Sequence, residues 1–184
     1  MRRIDFARGL LVGAASLVGI GKAEPGMAAK QQTTDLSEHP LVGTWVGMTP
    51  SGPVPAVFHP DGSFVAAFGS NAIDPGLGLF FQGPAIGRWE AVGERGSHFT
   101  AIQKLTAPDG TLLGTFQFEG HPEVSEDGQT FVDSTPQRVV TRDAQNTVTF
   151  DQILPADPPV RGYRMTPNGV DLPAAAQEFA SPTP

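Results

Sequence analysis

The sequence contains no cysteine, and its 184 residues include only one tyrosine, two tryptophans and four histidines. Without cysteine the chain forms no disulfide bond, offers no thiol nucleophile and lacks the thiolate ligands of structural zinc sites. A formal net charge of −7 leaves no excess of basic side chains to neutralise phosphates, which argues against nucleic acid as a partner. The stability of the fold must therefore come from packing.

Long hydrophobic runs are also absent. The longest one, residues 9–20 (GLLVGAASLVGI), follows the arginine pair Arg2 and Arg3 and precedes a small-residue stretch that ends at Ala23. Such a run is too short to span a bilayer, which takes about 20 residues, but the layout is typical of a secretory signal peptide. The arginine pair resembles a twin-arginine export signal. We therefore expect residues 1–23 to be removed by cleavage near Ala23. The mature chain is expected to be exported, to the periplasm, the cell surface or the medium, without stable membrane insertion.

Composition divides the remaining chain into three parts. Residues 24–39 are small and polar without an apolar period, which predicts a flexible tether. Residues 168–184 are rich in proline and alanine and predict a tail. The body between them, residues 40–167, is long enough for one domain with a single core.

The body is dominated by turn signals and short apolar runs. The chain has 22 glycines and 18 prolines, and Asp-Gly or Asn-Gly pairs supply the positive φ angles of tight hairpins. These turns are Pro60-Asp61-Gly62, Pro108-Asp109-Gly110, Glu126-Asp127-Gly128 and Pro167-Asn168-Gly169. The runs between them are residues 41–48, 54–59, 62–68, 85–92, 97–106, 111–119, 129–134, 137–143, 147–154 and 160–165. With no helical interval among them, the pattern predicts an all-β fold.

Alternation within these runs indicates one buried and one exposed face. In residues 111–119, Leu112, Phe116 and Phe118 share one side of the strand, and polar side chains share the other. Consecutive strands joined by short turns pair antiparallel, and closing such a meander removes exposed edges. We predict an up-and-down antiparallel barrel of about eight to ten short strands, with no substantial helix in the body.

The motif Gly43-Thr44-Trp45 at the start of the body resembles the first strand of lipocalin-like (calycin) barrels. Residues 58–64 (FHPDGSF), 87–90 (GRWE) and 107–116 (APDGTLLGTF) are similar to small bacterial lipocalin-like secreted proteins. The resemblance covers about residues 40–165. It implies that an arginine of a late strand packs on the tryptophan, and Arg161 and Arg164 are the two candidates. An ordinary exposed arginine remains the alternative for either.

The resemblance also implies that a small apolar molecule binds inside the barrel. An eight-stranded barrel holds one small ligand or is filled by its own side chains, and the phenylalanines could do either. The candidate ligand-binding residues are Phe64, Phe68, Leu79, Phe80, Phe81, Trp89, Phe99, Phe116, Phe118, Phe131 and Phe150. The glycine-rich stretch 71–84 (NAIDPGLGLFFQGP) is interpreted as a loop that forms either a lid over the barrel mouth or a plug in its core.

Motifs for metals, cofactors and common enzymes are missing. The four histidines lie far apart in sequence, and no histidine follows His121, where haem-binding barrels of the nitrobindin type place their iron ligand. The chain has no G-x-S-x-G motif, Walker loop or dinucleotide fingerprint. We expect no metal and no cofactor.

Three functions remain open: a carrier of a small apolar molecule, an isomerase or cyclase, and a structural or interaction domain with a filled core. Some calycin-like barrels, such as allene oxide cyclases and spirotetronate cyclases, close rings by holding an apolar substrate in a folded pose, which leaves little motif. His98 is the best acid–base candidate of the sequence. The polar side chains Glu119, Asp151, Gln152 and Tyr163 are further candidates, although each is also explained as an outward strand residue.

Overall fold

The computed structural model describes residues 35–74, 78–170 and 172. The predicted signal peptide, most of the predicted tether and most of the predicted tail lie outside these residues. Within the described part of the chain, no helix has the length and apolar character needed to cross a membrane.

The described residues form β-strands joined by turns and contain no helix. The strands are β1 (Gly43–Thr49), β2 (Gly52–Phe58), β3 (Ser63–Ala66), β4 (Asn71–Asp74), β5 (Gly78–Gln82), β6 (Ala85–Val92), β7 (Gly96–Thr106), β8 (Leu112–Gly120), β9 (Glu123–Val124), β10 (Thr130–Asp133), β11 (Gln137–Asp143), β12 (Val148–Leu154) and β13 (Val160–Arg164). The prediction of an all-β fold is confirmed.

All strand pairs are antiparallel, and together they close an eight-stranded barrel. Three barrel positions are each occupied by two successive short strands, namely β8 with β9, β10 with β11, and β12 with β13. Hydrogen-bonded neighbours then follow the order β1, β2, β3, β6, β7, β8–β9, β10–β11 and β12–β13, and β13 pairs with β1 to complete the ring. Each barrel position thus neighbours the next one along the chain, as an up-and-down barrel requires. The predicted architecture is confirmed, with the β4–β5 hairpin as an addition.

Strand β2 shows how alternation builds the wall. Val54, Ala56 and Phe58 are buried, while Pro53 and Pro55 are exposed on the other face. Only residues 56–58 of β2 pair with β3, so both prolines lie on a stretch that β3 does not reach. A proline, which has no N–H, is tolerated at such an edge.

The stretch 71–84, interpreted from sequence as a loop, is instead the β4–β5 hairpin. Phe81 of β5 also pairs with Thr106, the last residue of β7. Leu79 and Phe81 are exposed, and Phe80 is half-buried. The hairpin is therefore not a core plug. Its glycines and Pro84 hid a strand pattern that pairing with β7 stabilises.

A short turn before β1 covers one end of the barrel. Leu36 and Leu41 are buried there, and the His39 ring lies 5.3 Å from the Trp89 ring. The Leu41 N–H donates to Nδ1 of His39 (3.2 Å), so Nε2 carries the proton and donates to the Gly96 carbonyl (3.1 Å). Burial lowers the pKa of His39. Leu36 and His39, which were predicted to belong to the tether, thus pack against the barrel.

Trp45 and Arg164 lie at the same closed end, on the two strands that complete the ring. The two residues are directly opposite each other in the β1–β13 register, and the guanidinium carbon of Arg164 is 4.3 Å from the centre of the Trp45 ring. The guanidinium group donates to the carbonyls of Gly128 (2.6 Å), Val42 (3.1 Å) and Pro40. Arg161, the other candidate, is exposed on the outer face.

Gly43 of the G-x-W motif is explained by the same contact. Its φ of 132° is rare for other residues, and a Cβ there would lie 2.9 Å from Nη1 of Arg164. The indole N–H of Trp45 donates to the Leu41 carbonyl at 2.7 Å, so the turn, the first strand and the last strand meet at this point.

We predict that Arg164→Lys lowers the free energy of unfolding by about 2–3 kcal/mol, because lysine cannot reach three carbonyls and also stack on an indole. The matched variant Arg161→Lys should stay within about 0.5 kcal/mol of the parent protein. Urea denaturation followed by tryptophan fluorescence measures both. Equal losses in the two variants would contradict the closing role of Arg164.

Candidate binding cavity

The barrel interior contains a cavity of about 250 Å³. Most of its lining is apolar and comes from inward-facing residues of the strands. The lining residues are Gly47, Thr49, Pro50, Val54, Ala56, Phe58, Phe64, Ala66, Phe68, Phe99, Phe116, Phe118, Phe131, Asp133, Gln137, Val139 and Val160. A closed wall of strands with small residues at several inward positions leaves this space unfilled.

Phenylalanine rings form a connected wall of the cavity. Phe64 stacks on Phe99 with 4.5 Å between ring centres, and Phe58 lies 4.7 Å from Phe64. Phe118 meets Phe99 edge to face at 5.9 Å and Phe68 at 5.5 Å. Offset and edge-to-face pairs of this kind hold each ring in one orientation, so the wall of the cavity is preformed.

Glycines make room for two of these rings. Phe99 pairs directly with Gly120, and Phe131 pairs directly with Gly162. A Cβ at Gly120 would lie 2.3 Å from the Phe99 ring and 2.9 Å from Oδ2 of Asp133. Each ring therefore lies flat over the backbone of the neighbouring strand, and a larger residue at Gly120 would disturb both the ring and the carboxylate.

Asp133 brings a carboxylate to the apolar cavity. It is the last residue of β10 and only 3% exposed. Oδ2 accepts hydrogen bonds from the His121 N–H (2.8 Å) and from Nε2 of Gln137 (3.1 Å), and Oδ1 accepts one from the Thr135 N–H (3.3 Å). His121 lies where β8 gives way to β9, and Thr135 lies where β10 gives way to β11. The carboxylate thus satisfies backbone donors that the interrupted strands leave without a ladder partner.

Burial raises the pKa of Asp133, because a charged carboxylate loses its hydration there. The hydrogen bonds from His121, Thr135 and Gln137, together with the nearby His121 imidazole, oppose that rise without cancelling it. In the part of the chain that the structure describes, no lysine or arginine forms an ion pair with Asp133.

The sequence-predicted ligand-binding residues divide into two groups. Phe64, Phe68, Phe99, Phe116, Phe118 and Phe131 line the cavity. The others do not line it. Trp89 packs at the closed end against Phe58 and His39, and Phe150 packs against the hydrophobic core. Leu79, Phe80 and Phe81 belong to the β4–β5 hairpin.

The sequence-predicted polar candidates do not line the cavity either. His98 stacks on His121 with 4.8 Å between ring centres, and its Nε2 lies 4.0 Å from a carboxylate oxygen of Glu119. Asp151 is exposed and forms a bidentate ion pair with Arg138 at 2.7 and 2.8 Å. Tyr163 is half-buried on β13, and Gln152 is exposed on β12. The alternation of inward and outward positions separates these groups from the cavity.

Sequence reasoning did not identify Phe58, Asp133 or Gln137 as cavity residues. A signal for Asp133 was present, because it follows Phe131 by two residues in one short strand and therefore faces the same side. The interruption between β10 and β11 that makes the carboxylate useful is not visible in the sequence.

The described residues contain no group of three or more His, Asp or Glu side chains placed to hold a metal ion. No protein-family model, no curated protein and no solved structure matches this chain. We therefore infer a function from the cavity and its residues.

We predict that the melting temperature of Asp133→Asn, measured relative to that of the parent protein, increases as pH rises from about 4 to about 7. The raised pKa means that the folded state holds the proton of Asp133 more tightly than the unfolded state, so ionisation at higher pH destabilises the fold. The amide variant avoids that loss. Melting temperatures measured across this range test the sign.

The control is Asp151→Asn, which should change in the opposite direction. Hydrogen bonding to Arg138 lowers the pKa of Asp151, so its contribution to stability is present at higher pH and is lost as pH falls. A parallel pH dependence for the two variants would contradict the assignment for Asp133.

Proposed function

We propose that the protein binds a small apolar molecule inside the barrel, in the manner of lipocalin-like proteins. The observation that supports this function is the cavity itself, which lies between the barrel strands and is lined mainly by phenylalanine and small aliphatic side chains. An apolar cavity of about 150 Å³ is known to bind benzene. A volume of about 250 Å³ therefore suits one aromatic ring with a short chain. Binding would be driven by burial of ligand surface, at about 25 cal/mol per Å².

Two features support the lipocalin-like interpretation beyond the barrel. The G-x-W motif opens the first strand, and Arg164 of the last strand stacks on its tryptophan. Because the sequence begins with an arginine-containing leader typical of signal peptides, we propose that this carrier is exported and acts outside the cytoplasm.

A second function, an isomerase or cyclase acting on an apolar substrate, is favoured by one observation. Asp133 is a titratable group at the cavity, and a carboxylate whose pKa burial raises is a candidate general acid or base. A carrier requires only that the ligand be released unchanged. An enzyme requires that incubation with the bound compound or its precursors give a new product.

The first experiment is native mass spectrometry of the purified protein, followed by organic extraction. A co-purifying apolar compound of about ten to fifteen non-hydrogen atoms is expected from the size of the cavity. Incubation of that compound with fresh protein then separates a carrier from an enzyme. An unliganded mass, together with no binding of small aromatic hydrocarbons, would contradict the proposal and favour a structural role.

We predict that Ala66→Leu weakens binding of propylbenzene by about tenfold or more, because the added carbons occupy the cavity. Ala66 is buried and lines the cavity, whereas Val65 beside it faces outward and is 37% exposed. Val65→Leu is therefore the matched control and should leave the affinity within about twofold. Titration calorimetry measures both. Unchanged affinity in Ala66→Leu would place the hydrocarbon elsewhere on the protein.

A further inference from the structure

The hydrogen bonds of Asp133 leave one acceptor position open. An ionised carboxylate has about four lone-pair positions, two on each oxygen. Oδ2 uses two, toward the His121 N–H and Nε2 of Gln137, while Oδ1 uses one, toward the Thr135 N–H. Oδ1 can therefore accept one more hydrogen bond. The residue lines the cavity, so a bound molecule can supply that donor.

The carboxylate also has no lysine or arginine partner among the described residues. Val160 is its register partner on β13, and Gly120 of β8 lies beside both it and the Phe99 ring. Gln137 of β11 is neutral, which leaves His121 as the titratable group that acts on Asp133 within the described residues. A buried carboxylate without a cation is costly, and a cationic ligand would relieve that cost.

The remaining lining also suits a cation. Seven phenylalanine rings line the cavity, and the faces of aromatic rings attract ammonium groups. The described lining contains no lysine or arginine to repel one. The net charge of −7 further favours the approach of cations and disfavours anions.

We propose that the cavity selects a small hydrophobic amine, bound as the ammonium ion, with its apolar part among the phenylalanines and its nitrogen donating to Oδ1 of Asp133. This inference rests on the proposed binding function and names the class of ligand. The cavity limits that ligand to about one ring and a chain of a few atoms. A fatty acid or another carboxylate is disfavoured, because its charge would meet that of Asp133.

A series of four compounds of similar size tests the proposal on the purified full-length protein. They are 2-phenylethylamine, 2-phenylethanol, propylbenzene and 3-phenylpropanoate, which differ in the charge and hydrogen bonding of the chain end. Titration calorimetry at neutral pH should show the amine binding at least about tenfold more tightly than the alcohol and the hydrocarbon, with the carboxylate weakest. The preference for the amine should decrease as pH falls and Asp133 takes up a proton.

Asp133→Asn supplies the matched variant, since the amide keeps the shape and removes the charge. It should abolish the preference for 2-phenylethylamine over propylbenzene, and detectable binding of propylbenzene to the variant shows that the cavity persists. The comparison of ligands and of pH in the parent protein needs no variant, so the test stands even if Asp133→Asn folds poorly.

The outcomes separate the two proposals. If propylbenzene binds and the amine binds no more tightly, selection of an ammonium ion is wrong and binding in an apolar cavity stands. If the alcohol binds most tightly, Asp133 accepts from a neutral donor, and the amine proposal is again overturned. If none of the four compounds binds the parent protein, both proposals fail.

Discussion

The pairing of the last strand with the first is the contact on which the rest of the barrel depends. Trp45 and Arg164 face each other across that pair, and the arginine ties the turn before β1 and the turn before β10 to the closing strands through three backbone carbonyls. An open sheet of the same strands would expose two edges and one apolar face. Closure converts that face into an interior, and every inward position along the strands then becomes either core or cavity wall.

The position of the carboxylate at the cavity follows from an irregularity of the sheet. The strands are interrupted between β8 and β9 and again between β10 and β11. These two interruptions leave the backbone N–H groups of His121 and Thr135 without ladder partners. Asp133 accepts from both, so a structural requirement brings a charge to an apolar interior. Burial raises its pKa, which is a cost to the fold at neutral pH. A ligand that supplies the missing cation would turn that cost into specificity, as buried polar groups do in many binding sites.

Much of the fold was predictable because strand and turn signals are local. Asp-Gly turns, alternation and the absence of helical periods indicated a closed meander, and Gly43 and Trp45 marked its first strand. The β4–β5 hairpin was missed because its glycines and prolines obscure alternation, and its pairing with β7 is a long-range event. Of the site, six lining phenylalanines were anticipated. The sequence did not distinguish Phe150 and Trp89 from these six. An inward-facing aromatic residue lines the cavity or packs in the core according to its position along the barrel axis.

The sequence by itself determined the all-β class, the order of the strands and the apolar character of the interior, because these follow from periodicity and turn chemistry between near neighbours. Tertiary structure alone decided that a cavity remains, that Arg164 rather than Arg161 meets Trp45, and that Asp133 rather than His98, Glu119, Asp151 or Tyr163 lines the interior. These outcomes depend on strand register and on where strands are interrupted. Both are determined by contacts between residues distant in the chain, as the pairing of β1 with β13 across the whole barrel illustrates.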